Sequence, residues 1–167
     1  MSYVLRHKPE SIGIELNENG WTSLELLISK LNLTREELQY VVDNNSKQRF
    51  SISSDGQLIR ANQGHSVAID LDLIAKAPPT LLYHGTSQSS QDIINKEGLK
   101  KMNRNHVHLS MDVKTALNVG GRHGKPIVFI IDSETMAKDG YAFFQAENGV
   151  WLTEAVPKQY MKLKNEK

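Results

Sequence analysis

Two helix-start signals followed by a hairpin signal constrain how the first half of the chain can fold. Thr22 and Thr34 are each followed three residues later by a glutamate, which is the spacing of a capping box. Each box is flanked by apolar residues at the positions of a hydrophobic staple, and apolar residues then recur at helical spacing. The second pattern ends at Asn44. We therefore predict two short helices joined by a tight turn.

A hairpin signal follows these two helices. The Asp55-Gly56 dipeptide separates two alternating segments, residues 49–53 and 57–61, which is a strong hairpin pattern. Two helices followed by a hairpin predict a winged-helix lobe. Winged helices bind nucleic acid in many proteins and are plain scaffolds in others, so this pattern alone leaves both roles open.

The Pro78-Pro79 pair divides the chain into two parts of different character. Proline cannot continue a helix or donate a hydrogen bond to a sheet, so the pair indicates a boundary. We predict domains at residues 1–77 and 78–167. The part before Thr80 carries 8 basic and 10 acidic residues, a net charge of −2, and the remainder carries 12 and 9, a net charge of +3.

The second part alternates short strand and helix patterns. Strand patterns cover residues 80–83, 106–110, 126–131 and 150–153, and helix patterns cover residues 87–96 and 111–119. Mixed short elements of this kind predict an α+β lobe with a largely antiparallel sheet.

Composition excludes several classes of protein. A hydrophobic fraction of 39% is too high for a disordered chain, and no apolar run approaches the ~20 residues that span a bilayer. The chain has no cysteine, which excludes disulfide scaffolds, thiolate zinc sites and cysteine nucleophiles. A formal net charge of +1 argues against an extended surface that tracks nucleic-acid phosphates.

Two clusters in the first part have side chains suited to anions. Arg6, His7 and Lys8 are consecutive; this segment alone favours a solvated helix end, with phosphate binding as the alternative. Residues 59–66 combine Arg60 with two amides, an imidazole and a hydroxyl around a glycine. Such a set suits anion or ribose recognition, and equally a polar surface loop.

Further clusters lie in the second part. Residues 83–86 are predicted to close a strand before a helix, where a glycine turn either presents N–H groups to a phosphate or simply joins two elements. His106 and His108 share one face of a strand, which is a weak metal signal. Arg122 lies among three glycines. Glu147 is interpreted as a general base, a ribose ligand or a turn residue paired with a lysine. No dinucleotide or P-loop glycine motif occurs.

Eight motifs occur in the order found in one protein family. They are L-R-H-K-P, I-G-I-x-L-x-x-x-G-W, R-F-S-I, I-R-A-N-Q-G-H-S, Y-H-G-T, H-V-H-L-S, G-R-H-G-K-P and Q-A-E-N-G-V-W-L-T, which begin at Leu5, Ile12, Arg49, Ile59, Tyr83, His106, Gly121 and Gln145. Because these motifs cover nearly the whole chain, the sequence resembles the NAD-dependent RNA 2′-phosphotransferase family.

The resemblance implies an N-terminal winged-helix RNA lobe and a C-terminal lobe of ADP-ribosyltransferase type that binds NAD. It implies that an internal 2′-phosphate of RNA attacks the nicotinamide riboside carbon of NAD and expels nicotinamide. The 2″-hydroxyl of the attached ADP-ribose then attacks phosphorus. The products are 2′-hydroxyl RNA and ADP-ribose 1″,2″-cyclic phosphate.

The resemblance also implies the site residues. The catalytic set is Arg6, His7, Arg60 and Arg122. The groups expected to contact the RNA phosphate are these four together with Gln63 and His65. The groups expected to bind NAD are Tyr83, His84, Gly85, Thr86, His108, Leu109, Ser110 and Gly121. We expect a monomeric cytoplasmic enzyme that needs no metal ion and no membrane.

Two departures from the family pattern stand out. Only a few residues precede Arg6, so the helix that presents Arg6 and His7 is expected to be short. Glu147 matches the A-E-N-G-V-W motif of this family and not the catalytic glutamate motif of other ADP-ribosyltransferases, so it receives no catalytic role. Two other functions share these features: an ADP-ribosyltransferase that caps terminal phosphates of nucleic acid, and a non-catalytic winged-helix sensor of NAD or ADP-ribose.

The near-neutral charge yields a prediction about RNA binding. A few placed cations recognise one phosphate without an extended basic surface, so affinity should depend mainly on the 2′-phosphate and weakly on RNA length and salt. Binding of RNAs of increasing length, with and without an internal 2′-phosphate and at several salt concentrations, measures this. A steady gain in affinity with each added nucleotide would contradict it.

Overall fold

The fold was analysed in a computed structural model, which describes residues 1–165. The last two residues of the predicted second domain, 166–167, lie outside the described residues. The described chain forms two compact units. Among the described residues, unit 1 comprises 1–73, 103–105 and 146–148, and unit 2 comprises 74–102, 106–145 and 149–165. Both units mix helices with small sheets, so the α+β class is confirmed.

Unit 1 combines three helices with a small sheet. The helices are α1 (Ser2–Arg6), α2 (Leu24–Leu31) and α3 (Arg35–Asp43), and the strands are β1 (Thr22–Ser23), β2 (Phe50–Ile52) and β3 (Leu58–Ala61). A 3-10 turn covers Pro9–Ile12. The sheet order is β1-β3-β2, with both pairings antiparallel, so β3 is the central strand. Leu5, Leu24, Leu27, Leu38 and Ile59 form the centre of the core and are fully buried or nearly so.

The second predicted capping box is confirmed, and the first is wrong by one residue. The Thr34 hydroxyl accepts from the Glu37 N–H, and the Glu37 carboxylate accepts from the Thr34 N–H. In α2 the cap is Ser23, whose hydroxyl accepts from the Leu26 N–H at 3.2 Å. Thr22 is buried and pairs with Ile59 in the sheet instead. Strand pairing therefore decides which residue begins the helix.

The predicted hairpin is confirmed. Strands β2 and β3 pair in antiparallel register, with Phe50 opposite Ala61 and Ile52 opposite Ile59. Gly56 in the connecting turn has φ +72°, a conformation that favours glycine. The short helix predicted for Arg6 is also observed, because α1 has 5 residues.

Unit 2 contains eight strands and three helices within residues 74–165. The strands are β4 (Leu82–Ser87), β5 (Leu99–Lys100), β6 (Val107–Leu109), β7 (Pro126–Ile131), β8 (Phe143–Gln145), β9 (Trp151–Thr153), β10 (Ala155–Val156) and β11 (Met161–Leu163). The helices are α4 (Gln91–Glu97), α5 (Val113–Gly120) and α6 (Ser133–Lys138), and 3-10 turns cover Gln88–Ser90, Gly121–His123 and Lys158–Tyr160.

The strands of unit 2 form three small antiparallel sheets. Their orders are β11-β7-β4, β6-β9-β8 and β10-β5, which agrees with the predicted antiparallel character. Leu82, Phe129, Ile131, Phe143 and Trp151 are central members of the buried core.

The end of the first strand of unit 2 differs from the prediction. The strand was expected to end near Tyr83, with a glycine turn leading into a helix, but β4 continues to Ser87. Every residue of β4 is paired with the apolar strand β7, and Gly85 lies opposite Val128. Pairing with this long partner keeps the chain extended, so the strand–turn–helix interpretation of residues 83–86 is wrong.

Two glycines bring α5 close to β4. A Cβ atom on Gly85 would lie 1.6 Å from the backbone oxygen of Ala116, and one on Gly120 would lie 2.6 Å from the backbone oxygen of Thr86. Only glycine permits this approach of helix to strand. Within residues 1–165, no helix is long and apolar enough to cross a membrane.

We expect Gly85→Ala to destabilise the protein by about 3 kcal/mol or more, because the added methyl group meets backbone that cannot rotate away. Chemical denaturation measures the loss. Gly121→Ala is the matched control, since its φ is −68° and its nearest neighbour would be Pro126 Cγ at 4.0 Å. Equal stability of both variants would contradict the close-approach argument.

Candidate functional site

Arg6 is held inside unit 1 and does not lie on a solvated helix end. Its side chain is nearly buried at the end of α1, and Nη2 donates to Gln63 Oε1 at 2.7 Å. The Ser66 N–H donates to the backbone oxygen of Arg6 at 2.9 Å. These contacts join α1 to the segment that follows β3. The solvated-surface interpretation of Arg6 is therefore wrong.

The segment after β3 is not a polar surface loop. Asn62, Gln63 and His65 are all buried. The Asn62 side chain donates to the Gln48 backbone oxygen at 2.6 Å, and the Asn62 N–H donates to the Arg49 oxygen at 2.8 Å. These hydrogen bonds satisfy buried polar groups and fix the chain between Arg60 and His65.

His7 lies next to this segment and is more exposed than Arg6. Its Nδ1 atom is 2.9 Å from the Ser66 hydroxyl oxygen, within hydrogen-bond distance. Burial, followed by the positive charges of Arg104 and Arg6, lowers the pKa of His7 below its usual value. His7 is consequently neutral near pH 7, which is the form that accepts a proton.

His65 is the most enclosed titratable group of unit 1. It is 1% exposed, and neither ring nitrogen has a hydrogen-bond partner among residues 1–165. Burial lowers the pKa of His65 to about 4, assisted by the charges of Arg6, His7 and Arg60. A neutral imidazole here avoids a further positive charge among the arginines.

Arg60 extends from the central strand β3 between an aromatic ring and a carboxylate. Its guanidinium carbon lies 4.6 Å from the centre of the Trp21 ring, a cation–π contact. Its Nη2 atom donates to Glu147 Oε1 at 2.8 Å, and its side chain is only 11% exposed. Glu147 is therefore paired with an arginine, and the predicted lysine partner is wrong.

Together Arg6, His7, Arg60 and His65 form a compact group that we call the Arg–His cluster. The charges of Arg6 and Arg60, and that of His7 when protonated, each lower the pKa of His65, so all three side chains lie near its ring and the two guanidinium groups repel each other. Such a cluster favours an anion, because a phosphate offsets the repulsion and accepts hydrogen bonds from guanidinium groups. No group of three or more acidic or histidine side chains among residues 1–165 is placed to hold a metal ion.

Unit 2 brings two of the predicted cofactor motifs together. Tyr83 and Ser110 exchange backbone hydrogen bonds, with N–O distances of 2.9 Å and 2.7 Å. His84 Nδ1 lies 3.0 Å from the backbone oxygen of His108. Burial lowers the pKa of His84, and this hydrogen bond opposes the shift. The motifs 83–86 and 108–110 therefore lie side by side on β4 and β6.

The remaining predicted residues of unit 2 lie beside these strands. Gly121 begins the 3-10 turn that directly follows α5, and Arg122 is exposed on that turn. Leu109 is buried, so only its backbone can contact a ligand. The backbone of Ala116 fills the space beside the Cα atom of Gly85, as described above.

Two residues near the Arg–His cluster, Trp21 and Arg104, were not predicted to lie at a site, and Glu147 was a candidate whose arginine partner was not predicted. Trp21 and Glu147 contact Arg60, and Arg104 lowers the pKa of His7. Arg104 belongs to unit 1, although it is distant in sequence from the rest of that unit. The backbone and side-chain N–H groups of its neighbour Asn105 donate to the oxygens of His65 and Val67 at 3.2 Å. Trp21 and Glu147 lie within sequence motifs, but no local pattern indicates that either contacts Arg60, because these contacts are long-range.

The Arg–His cluster has the side-chain chemistry that suits an anion, and comparison with known proteins identifies the family of the chain. Residues 1–155 match the family model described as RNA 2′-phosphotransferase, Tpt1 / KptA family. The chain belongs to this family.

Its curated relatives include three bacterial proteins, each named a probable RNA 2′-phosphotransferase. The protein of Pectobacterium carotovorum is 53% identical over 163 residues, covering 94% of this chain and 88% of the relative. That of Nostoc punctiforme is 51% identical over 166 residues, covering 96% and 92%. That of Flavobacterium johnsoniae is 48% identical over 170 residues, covering 99% and 93%.

The enclosure of His65 predicts a specific pH dependence of stability. Its pKa is about 4 in the folded chain and 6.5 in a model peptide, so the unfolded state binds more protons between these values. The free energy of unfolding should therefore fall as the pH falls from about 6.5 to 4, by on the order of 3 kcal/mol.

Denaturation of the wild type and His65→Leu at pH 7 and pH 4.5 tests this, because all other histidines are common to both. The variant should lose less stability on acidification than the wild type. Identical losses would show that His65 titrates as freely in the folded state as in the unfolded state.

Proposed function

We propose that this protein transfers an internal 2′-phosphate of RNA to NAD. The products are 2′-hydroxyl RNA, nicotinamide and ADP-ribose 1″,2″-cyclic phosphate. The observation that carries the proposal is the Arg–His cluster in a chain of the RNA 2′-phosphotransferase family. Arg6, His7 and Arg60 are both members of this cluster and residues that the resemblance implies to be catalytic.

The two chemical steps make different demands on the protein. In the first, the phosphate is already a nucleophile and nicotinamide is a good leaving group, so binding and orientation of both substrates are the main requirements. In the second, a hydroxyl attacks phosphorus, and cations must stabilise the charge on the phosphoryl oxygens. Arg6 and Arg60 supply that charge in unit 1, and Arg122 is the third arginine of the proposed set.

His7 is the proposed group for proton transfer in the second step. Its lowered pKa leaves it neutral at pH 7, so it accepts the proton of the attacking hydroxyl. Gln63 and His65 are proposed to support phosphate binding. Gln63 does so by orienting Arg6, to which it is hydrogen-bonded.

NAD is the proposed second substrate, bound by unit 2. The residues that would hold it are Tyr83, His84, Gly85, Thr86, His108, Leu109, Ser110 and Gly121. The adjacency of β4 and β6 supports this set, because it places the hydroxyls and imidazoles of both motifs on neighbouring backbone. We further propose winged-helix and ADP-ribosyltransferase-type assignments for residues 1–77 and 78–167.

We expect Arg60→Ala and Arg122→Ala each to lower the rate of 2′-phosphate removal at least about 100-fold, because each removes a cation that stabilises the phosphoryl group. The assay combines NAD with a short RNA carrying an internal 2′-phosphate and follows nicotinamide, cyclic phosphate and RNA products. Arg35→Ala is the matched control: Arg35 is exposed and paired with Glu25, and its loss should change the rate by less than about twofold.

Full activity in both the Arg60 and Arg122 variants would overturn the site assignment. A wild-type protein that releases no nicotinamide with this substrate would overturn the reaction itself. A stable ADP-ribose adduct on a 5′-phosphorylated oligonucleotide, with no 2′-phosphate removal, would favour capping of terminal phosphates instead.

A further inference from the structure

Glu147 is fixed in unit 1 by contacts on both of its carboxylate oxygens. Oε1 accepts from Arg60 Nη2 at 2.8 Å, and Oε2 accepts from the Ser51 hydroxyl. The flanking residues are also held, since Ala146 is buried and the Asn148 side chain donates to the Lys47 backbone oxygen at 3.0 Å. The carboxylate is therefore anchored in place by strand β2 and by its own neighbours.

Arg60 is restrained from several directions, and Glu147 is its only carboxylate partner among residues 1–165. The Trp21 ring lies against the guanidinium, and strand β3 holds the backbone. The Arg60 Nε atom is buried without a hydrogen-bond partner among the described residues, so hydrogen bonds from the Nη atoms must set the rotation of the group. The bond to Glu147 leaves other N–H groups of the guanidinium available to a phosphate.

Because Arg60 lies near another positive charge, a fixed carboxylate beside it has a stabilising effect. Arg6 lies in the same cluster and its positive charge repels the guanidinium, whereas His7 is neutral near pH 7. Burial raises the pKa of Glu147, but the hydrogen bonds from Ser51 and Arg60 outweigh it and lower the pKa overall. Glu147 is thus ionised at neutral pH and offsets part of the repulsion.

The same contacts argue against two other roles. Both carboxylate oxygens already accept from protein donors, and these hydrogen bonds lower the pKa of Glu147, which makes it a weak base for a substrate hydroxyl. If Glu147 instead competed with phosphate for Arg60 and dissociated when phosphate bound, its carboxylate would be loosely held. In contrast, Glu147 accepts hydrogen bonds on both oxygens from two different strands, from Ser51 of β2 and from Arg60 of β3.

We propose that Glu147 is a positioning residue, whose carboxylate holds the Arg60 guanidinium in the orientation that stabilises the phosphoryl group. This inference rests on the proposed function for its kinetic consequences. Its structural half, the restraint of Arg60 by Glu147, is independent of any activity.

The kinetic test compares two variants at the same position. Glu147→Ala removes the acceptor and should lower kcat about 10- to 100-fold, with a smaller change in KM for the 2′-phosphorylated RNA. Glu147→Gln keeps an oxygen that accepts from Arg60 and should recover most of that loss, with the pH profile of kcat unchanged. Glu25→Ala, which removes the exposed carboxylate partner of Arg35, is the control and should behave as the wild type.

Two kinetic outcomes would overturn the proposal. Undiminished kcat with tighter binding of the phosphorylated RNA in Glu147→Ala would make Glu147 a competitor for Arg60. Loss of activity in Glu147→Gln equal to that in Glu147→Ala, together with loss of the basic limb of the pH profile, would make it a general base.

A second measurement separates this proposal from the proposed function. In protein labelled with ¹⁵N-arginine, the NMR signal of the Arg60 Nε–H should report a restrained guanidinium in the wild type and in Glu147→Gln, and a mobile one in Glu147→Ala. An equally restrained Arg60 in all three would overturn the positioning role, even in a protein with full activity. If the wild type lacks 2′-phosphotransferase activity but Arg60 is released in Glu147→Ala, only the function fails.

Discussion

In unit 1, two nearly buried arginines and two histidines lie close together, and the rest of the unit must offset the free-energy cost of that arrangement. Burying like charges is unfavourable, so stability must come from elsewhere. The apolar neighbours of the charged residues supply it: Leu5 precedes Arg6 and Ile59 precedes Arg60, and both apolar side chains are fully buried. Alternation along β3 directs Ile59 into the core and Arg60 to the opposite face.

The charges of the Arg–His cluster are compensated locally, by groups that lie beside them. The whole chain has a formal net charge of only +1. His65 stays uncharged because it is enclosed, and the pKa of His7 is lowered by burial and by nearby arginines. One carboxylate, Glu147, pairs with Arg60. A first part with a net charge of −2 therefore still brings two arginines close together, because the local separation of charges is independent of their sum.

Within residues 74–165 of unit 2, close packing of the backbone brings the predicted site residues together, and interactions between charged side chains do not. Gly85 and Gly120 let α5 lie directly on β4, and the hydrogen bonds between Tyr83 and Ser110 join β4 to the residue that follows β6. The H-V-H-L-S and Y-H-G-T motifs are thereby placed side by side, on strands of two different sheets that are joined at the Tyr83–Ser110 bridge. Regular secondary structure fixes most of the backbone of both motifs.

Local patterns determined the elements whose signals span a few residues, namely the helix that Thr34 caps and the hairpin that turns at Gly56. They also determined which kinds of side chain each motif contains. They did not determine which residue caps α2 or where β4 ends, because pairing with β3 and β7 overrides local preference. Local patterns could not predict the partner of Arg60 either, since Glu147 is 87 residues away in sequence. Only the tertiary structure decided which polar groups are buried together, because burial and pairing depend on contacts that no local spacing encodes.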